Sequence, residues 1–183
     1  MMVDAHSAPL EKETPLDRLG RLYDSQHQRI YRLARRLTRD PEEARDLLQE
    51  TFLRAARRAH ALPESRAAAE AWLVRTTVNL CRDLGRRRAV RVRDQHKLEP
   101  PAPFGPNPET ATVARASVEA ALAGLAPKRR AVIVLVELEG LSTREVGRLL
   151  GSPEGTVRWH LSRGKQELKA RLANELASQE TTT

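Results

Sequence analysis

The sequence predicts an all-α protein: two small helical domains joined by a proline-rich linker, the C-terminal one a helix-turn-helix. Three observations predict it. Apolar residues recur at steps of three, four and seven through several long stretches, the period of one helix face, and no stretch alternates apolar and polar residues as a half-buried strand does. Helix-starting and helix-stopping residues stand at the ends of those stretches. Between them, Pro100, Pro101, Pro103, Gly105, Pro106 and Pro108 fall within nine residues, where no helix can run because proline lacks the N–H and clashes with the preceding turn. The 183 residues suit one ordinary domain or two small ones.

The elements follow in order. Met1 to Thr14 is polar and aperiodic, and residues 1–15 are expected to form a flexible lead-in. Leu16, Leu19, Tyr23, Ile30, Leu33 and Leu37 then mark one helix face. Asp40-Pro41-Glu42-Glu43 restarts a helix: Asp40 is a good N-cap, Pro41 suits the first helical position, and the acids favour the positive end of the dipole. Its inward face is Ala44, Leu47, Leu48, Thr51 and Ala55, and Leu62-Pro63-Glu64-Ser65 reads as a loop. A helix from about Ala67 to Arg88, with Ala69, Trp72, Leu73, Thr76, Leu80 and Leu84 inward, completes a first domain over 16–90. Residues 91–108 read as a semi-extended linker. The second domain, 109–176, opens on Val118, Ala121, Leu122 and Leu125, continues from Pro127 to about Glu139, and ends on helices Thr143–Leu150 and Pro153–Leu172; 177–183 is a polar tail.

Composition excludes several function classes. The formal charge is +8, which points to an acidic partner, either nucleic acid or an anionic surface. With 3% aromatic residues, a module built on base-stacking platforms is not expected. Cys81 is the single cysteine, so no intramolecular disulfide can form, and the five histidines show no ligand spacing; no metal and no cofactor are expected. No apolar run approaches the roughly 18 residues of a membrane span, and Met1 to Glu13 lacks the apolar core of a signal peptide, so the chain is expected to be cytoplasmic with no membrane insertion.

The C-terminal helices carry the sharpest local signals. Ser142 and Glu145 form an S-x-x-E capping box, Val146, Leu149 and Leu150 face inward, and Gly151 ends the helix where positive φ is needed. Ser152 is then expected to cap the next helix, with Pro153 in its first turn. Two short helices across so tight a turn are a helix-turn-helix, whose second helix enters the major groove. On a wheel, Val157, Leu161, Gly164 and Leu168 group inward, and Arg158, Trp159, Ser162, Arg163 and Gln166 outward. Outward arginines suit phosphate or guanine edges, and Trp159 could pack on sugar or a thymine methyl. The plainer alternative is that Trp159 covers a neighbouring helix beside a solvated basic face.

Two charge blocks of opposite sign mark the N-terminal domain. Asp40 to Glu50 holds five acids and one arginine, and Arg82 to Arg93 six arginines and one acid. Arg75, Asn79, Arg82 and Arg86 recur at +4, +7 and +11, one stripe read as opposite Trp72, Thr76 and Leu80, and Arg87 and Arg88 extend its positive end. Such a stripe can track a phosphate backbone, or be a solvated helix face. The acidic helix repels DNA, so Asp46, Gln49, Glu50 and Phe52 suit a protein surface; the alternative is intrahelical pairing, for instance Glu42 or Asp46 with Arg45.

Asp40 through Ala55 (DPEEARDLLQETFLRA) resembles the core-polymerase-binding helix of bacterial RNA polymerase sigma factors of the extracytoplasmic-function (ECF) type, in the sigma-70 family. Ala71-Trp72-Leu73 with Asn79-Leu80 and the arginine cluster resembles that group's helix facing the minus-ten promoter element. Leu125-Ala126-Pro127-Lys128-Arg129-Arg130, Glu139-Gly140-Leu141-Ser142 and Gly155-Thr156-Val157-Arg158 resemble its minus-thirty-five-reading domain. The likeness covers roughly Leu16 to Leu172.

The resemblance implies a sigma factor that binds core RNA polymerase and directs promoter recognition and transcription initiation, with no enzymatic activity. The acidic helix would dock on the clamp of the largest polymerase subunit through Asp46, Gln49, Glu50 and Phe52. Arg75, Asn79, Arg82, Arg86, Arg87 and Arg88 would face the minus-ten element, where an unpaired base is trapped. Thr143, Arg144, Thr156, Arg158, Trp159, Ser162 and Arg163 would face the minus-thirty-five element, read partly through DNA shape. The linker would thread toward the polymerase active-site cleft, and an anti-sigma factor would hold activity off. Two features depart from the pattern. The base-holding loop, about Leu62–Glu70, is alanine-rich with no aromatic, and Gly147 replaces the usual alanine at a cost of roughly 0.5–1 kcal/mol.

Two other function classes compete. Gly155-Thr156-Val157 also resembles stand-alone helix-turn-helix regulators of the response-regulator type, which would need an N-terminal receiver of alternating strands and helices. An enzyme on nucleic acid would need clustered carboxylates or metal ligands, and the acidic block suits docking better.

Overall fold

The computed structural model describes residues 14–38, 40–94 and 113–180; for 88–94, 113–116 and 175–180 it describes the backbone alone. Among the described residues the fold is all-α. Seven helices follow in order: α1 Pro15–Thr38, α2 Pro41–Arg57, α3 Arg66–Asp94, α4 Val113–Ala123, α5 Pro127–Ile133, α6 Thr143–Leu150 and α7 Glu154–Glu180. A 3-10 turn, Ala59–Ala61, precedes α3, and a π-helical turn, Val134–Leu138, extends α5.

Local chemistry sets the helix ends. Thr14 caps α1, its hydroxyl accepting from the Asp17 N–H (3.1 Å) while the Asp17 carboxylate accepts from the Thr14 N–H and hydroxyl. Those bonds hold the Asp17 carboxyl below its usual range. The sequence reading placed Thr14 in the lead-in, residues 1–13 of which lie outside the described residues. Asp40 caps α2, accepting from the N–H groups of Glu42 (2.9 Å) and Glu43 (3.5 Å). Both bonds of the Ser142–Glu145 capping box are present. Gly151, at φ +61°, lets the Ser152 N–H return to the Gly147 carbonyl (2.9 Å). Ser152 therefore serves the end of α6. Helix α7 begins at Glu154, its first backbone bonds closing on the Pro153 carbonyl rather than on a Ser152 side-chain cap.

Three boundaries differ from expectation. Helix α3 runs on to Asp94, past Arg88 and into the expected linker, because Ala89 to Asp94 contains neither glycine nor proline; the rest of the expected linker, 95–108, lies outside the described residues. Helix α7 reaches Glu180 through the expected tail, for the same reason. The helix from Pro127 does not stay regular to Glu139. The Glu139 N–H bonds the Val134 carbonyl (3.0 Å), an i→i+5 step, and Gly140 at φ +70° then ends the element.

Packing explains two glycines. A Cβ on Gly147 would stand 2.8 Å from the Ser152 carbonyl oxygen, so the tight α6–α7 turn excludes any side chain and outweighs the helix-propensity cost. A Cβ on Gly164 would stand 2.7 Å from Ile133 Cδ1, where α7 crosses α5.

The two halves share one buried cluster, and each has a smaller cluster of its own. Leu22, Ile30, Leu33, Leu73, Val74 and Val78 belong to one buried cluster with Val132, Val134, Leu135, Val146, Leu149 and Val157. Ala34, Ala44, Leu47 and Leu80 form a second cluster between α1, α2 and α3. Leu122, Leu125 and Ile133 form a third, under α7. Buried Thr51 and Thr77 donate to the Leu47 and Leu73 carbonyls, and their hydroxyls meet at 3.2 Å where α2 crosses α3.

Candidate nucleic-acid and protein interfaces

Helices α6 and α7 segregate by face as the wheel predicts. Val157 and Gly164 are buried and Leu161 and Leu168 half-buried, while Arg144, Thr156, Arg158, Trp159, Ser162 and Arg163 are exposed. Glu154, in the first turn of α7, accepts from the half-buried Thr143 hydroxyl of α6 (2.8 Å) and from Arg158 (2.7 Å). One carboxylate thereby ties the two helices and orients Arg158. Those bonds, with Thr143 the larger, hold its carboxyl below the usual range. Trp159 is 52% exposed, so it presents about half of its surface outward and covers part of α5 with the rest. The Arg129 guanidinium lies 5.6 Å from its centroid and His160 meets it edge-on at 4.9 Å, which fixes the indole's outward pose.

The predicted stripe on α3 divides among three settings. Arg75 and Asn79 line a cleft of about 510 Å³ with Trp72 and Thr76 of α3 and with Arg54, Arg57 and Arg58 from the end of α2. Trp72 and Thr76 are therefore on the cleft side, not opposite the stripe. The buried face of α3 is instead Leu73, Val74, Thr77, Val78 and Leu80, a wider arc, because α1, α2 and α6 all pack on this helix. Further along, Arg82 is half-buried and donates to the Leu149 carbonyl of α6 (2.7 Å), so the structure engages it inside the molecule instead of facing it outward. Arg86 is exposed and pairs with Asp83 (3.7 Å). Arg87 lies on the opposite flank, against acids, and the Arg88 side chain lies outside the described ones.

The cleft arginines of α2 were missed. Their signal was present, since Arg54, Arg57 and Arg58 recur at steps of three and four. Arg57, Arg58 and Arg75 have no ion-pair partner among the described residues, whereas Arg54 is bound by Glu50 (2.8 Å).

The acidic face of α2 lines a separate groove of about 340 Å³. Glu43, Asp46 and Glu50 line it with Asp83 and Arg87 of α3, over Leu47, Leu80 and Leu84. Asp46 and Gln49 are exposed. Intrahelical pairing accounts for only part of this face: Glu42 pairs with Arg45, and Arg54 holds the Glu50 carboxyl below its usual range. Phe52 does not join this face, contrary to the sequence-based expectation. It is 8% exposed and meets Tyr23 edge-to-face at 4.8 Å, so its ring belongs to the core, where burial contributes about 1.5–3 kcal/mol, and offers no surface to a partner. The loop expected over 62–70 is also shorter. Only 62–65 lie outside helix, and Ala67 to Glu70 are already in α3. Arg18 fixes its near end, donating to the Ala59 and Leu62 carbonyls.

Comparison with known proteins agrees with both halves. Residues 22–91 match Sigma-70 region 2, and residues 115–168 match Sigma-70 region 4. The chain is 42% identical over 152 residues to the ECF RNA polymerase sigma factor SigE of Mycolicibacterium smegmatis, an alignment spanning 79% of this chain and 58% of that protein's length. It is 36% identical over 156 residues to the ECF RNA polymerase sigma factor SigM of Mycobacterium tuberculosis, covering 85% of this chain and 76% of that one. Among solved structures, the fold is like that of the sigma factor RpoE, crystallised with the anti-sigma factor NepR from Bartonella quintana: TM-score 0.67, 22% identity, 85% of this chain and 97% of that one. CnrH, solved with the cytosolic domain of CnrY, gives a TM-score of 0.53 at 26% identity over 85% and 88% of the two chains. Where a response-regulator receiver would have to stand, residues 22–91 match Sigma-70 region 2 instead.

Proposed function

The chain belongs to the ECF RNA polymerase sigma factors, and from that premise we propose that it binds core RNA polymerase, carries it to promoter DNA and directs initiation by binding alone, without catalysis, in the cytoplasm. The observation that carries this reading is the division of charge over three surfaces: the acid-lined groove on α2, the arginine cleft between α2 and α3, and the basic face of α7.

Each surface has a role its chemistry fits. Asp46 and Glu50, joined by Glu43 and Asp83, outnumber Arg54 and Arg87 over an apolar floor, with Gln49 exposed beside them, which suits a basic element of the polymerase. The cleft combines a half-buried indole with arginines and an asparagine. Trp72 offers a face to an unstacked base, Arg57, Arg58 and Arg75 take the flanking phosphates, and Asn79 can pair with a base edge. The proposed minus-ten contacts are therefore Arg75 and Asn79, with Arg57 and Arg58 added. Arg144, Thr156, Arg158, Trp159, Ser162 and Arg163 face the minus-thirty-five groove, with Thr143 bracing Glu154 beneath them. An anti-sigma factor is the expected regulator, as for the sigma factor RpoE, which was crystallised with one. Among the described residues no helix is long and apolar enough to cross a membrane.

The test is reconstitution. The chain co-purifies with core polymerase and supports runoff transcription from a matching promoter; folded protein that does neither overturns the reading. Arg158→Ala with Trp159→Ala lowers transcription about 10- to 100-fold on promoters that depend on the upstream element, at roughly 1–3 kcal/mol per lost base contact. Unchanged activity there would remove α7 from the reading. Arg57→Ala with Arg58→Ala weakens open-complex formation and makes the salt dependence of promoter binding shallower by up to about two phosphate contacts. An unaltered salt slope would return those arginines to a solvated face.

A further inference from the structure

Trp159 carries its indole on the face of α7 that the proposed function turns to DNA, and what holds the ring there comes from another helix. Gly164, just over one turn further along α7, sets the geometry. A Cβ there would stand 2.7 Å from Ile133 Cδ1 and 3.5 Å from Arg129 Cβ, so the missing side chain lets α5 cross α7 closely. The crossing lays the Arg129 stem against α7, and its guanidinium carbon lies over the Trp159 ring, 5.6 Å from the centroid. Arg129 Nη1 donates to the Glu167 carboxylate, about two turns beyond Trp159. The buried Nε makes no hydrogen bond among the described residues. Carboxylate and ring, both on α7, are thus the two partners that fix the guanidinium. His160 closes on the indole edge-to-face, with centroids 4.9 Å apart at 70°. Burial, then the charges of Lys128 and Arg129, holds the His160 imidazole below its usual pKa. At neutral pH that ring is uncharged, and it does not compete with Arg129 as a cation on the indole.

We propose that Trp159 reads the methyl group of a thymine in the upstream promoter element, and that Arg129 and Glu167 are the positioning residues that hold the indole for it. The proposal rests on the minus-thirty-five role assigned to α7. Trp159 lies in the second turn of α7, next to Arg158, and the first turns of a recognition helix are the ones that reach base edges. What an indole can meet there is restricted. Its face carries the negative side of the ring quadrupole, which disfavours phosphate. Adenine, guanine and cytosine show polar groups on their major-groove edges, and the C5-methyl of thymine is the apolar group displayed there. Anchoring sharpens the choice. A free indole turns about two χ angles and can settle on sugar, backbone or base alike. One pinned between Arg129 and His160 presents the same surface each time, and it loses less rotamer freedom on contact.

Deleting the methyl tests it. Thymines of the upstream element are replaced one at a time by deoxyuridine, which removes the C5-methyl and leaves base pairing and phosphates in place. The full chain is assembled with core polymerase on a promoter from which it initiates, and the readout is the ratio of affinities for the thymine and deoxyuridine templates. With the wild-type chain one position loses about fourfold in affinity, the worth of one buried methyl group. With Trp159→Ala the ratio at that position falls to about one, because the contact is already gone. Arg129→Met keeps the aliphatic stem over Gly164 but removes the charge, and it brings the ratio below about twofold; Arg129→Lys, which keeps a cation beside the ring, restores most of it. Should Arg129→Met not fold, Glu167→Ala frees the guanidinium from the other end and lowers the same ratio. No sensitivity to deoxyuridine anywhere in the element, or equal sensitivity with Trp159→Ala, overturns the methyl contact. A wild-type ratio in Arg129→Met and Glu167→Ala overturns the positioning role, since a general charge effect of Arg129 weakens both templates alike. A wild-type chain that initiates nowhere strikes the sigma-factor reading and this inference with it, whereas one that initiates without sensing the methyl strikes the inference alone.

Discussion

Asp46→Lys with Glu50→Lys reduces capture of core RNA polymerase by at least about 100-fold and leaves the chain folded. Like-charge juxtaposition across an interface costs several kcal/mol, and each 1.4 kcal/mol is a factor of ten. The stability side is small. Asp46 is exposed and without an ion-pair partner among the described residues, and the Glu50–Arg54 pair lies at the surface, where such pairs contribute about 0–1 kcal/mol. New like-charge neighbours one turn apart on α2 cost a few tenths of a kcal/mol each. The measurement pairs a pull-down with a thermal melt. Wild-type capture would mean that the acid-lined groove is not the polymerase contact. A large fall in melting temperature would mean that the acids serve the fold. Asp83→Lys on the facing helix gives the same loss if the groove, rather than α2 alone, is the docking unit.

What the sequence made legible was local chemistry. Asp40 with Pro41, the Ser142–Glu145 box and Gly151 each specify a helix end through one or two hydrogen bonds within a few residues, and those ends appear where they were expected. The outward face of α7 was legible for a similar reason. One side of that helix packs on a core and the other meets little beyond Arg129, so periodicity separates them. Residues whose setting depends on a distant element were not legible. Phe52 sits next to the acids in sequence, and only the approach of Tyr23 from α1 puts its ring inside. Trp72 and Arg82 were assigned faces on a helix treated as half-solvated, whereas α3 meets α1, α2 and α6 and keeps only a narrow strip for the cleft. The shared core was hidden for the same reason: a proline-rich stretch predicts where a helix cannot run, not whether the helices on either side of it meet.

Leu73→Ala tests that shared core directly. The side chain is fully buried in the first third of α3, in the cluster that joins Leu33 and Val78 to Val132, Val146 and Val157. Removing its methyl groups leaves a cavity and costs about 2–5 kcal/mol. At about 2–4 °C per kcal/mol for a chain of this size, the melting temperature falls by roughly 4–20 °C. The exposed Leu16→Ala shifts it by no more than about 0.5 kcal/mol in stability terms. The two tryptophans make the result specific, because each half holds one: Trp72 on α3 and Trp159 on α7. In variants keeping a single tryptophan, Leu73→Ala lowers the transition reported by Trp159 as much as that reported by Trp72, since a cavity in α3 removes contacts from both halves. A Trp159 transition that stays at its wild-type temperature would mean that the C-terminal half draws no stability from α3.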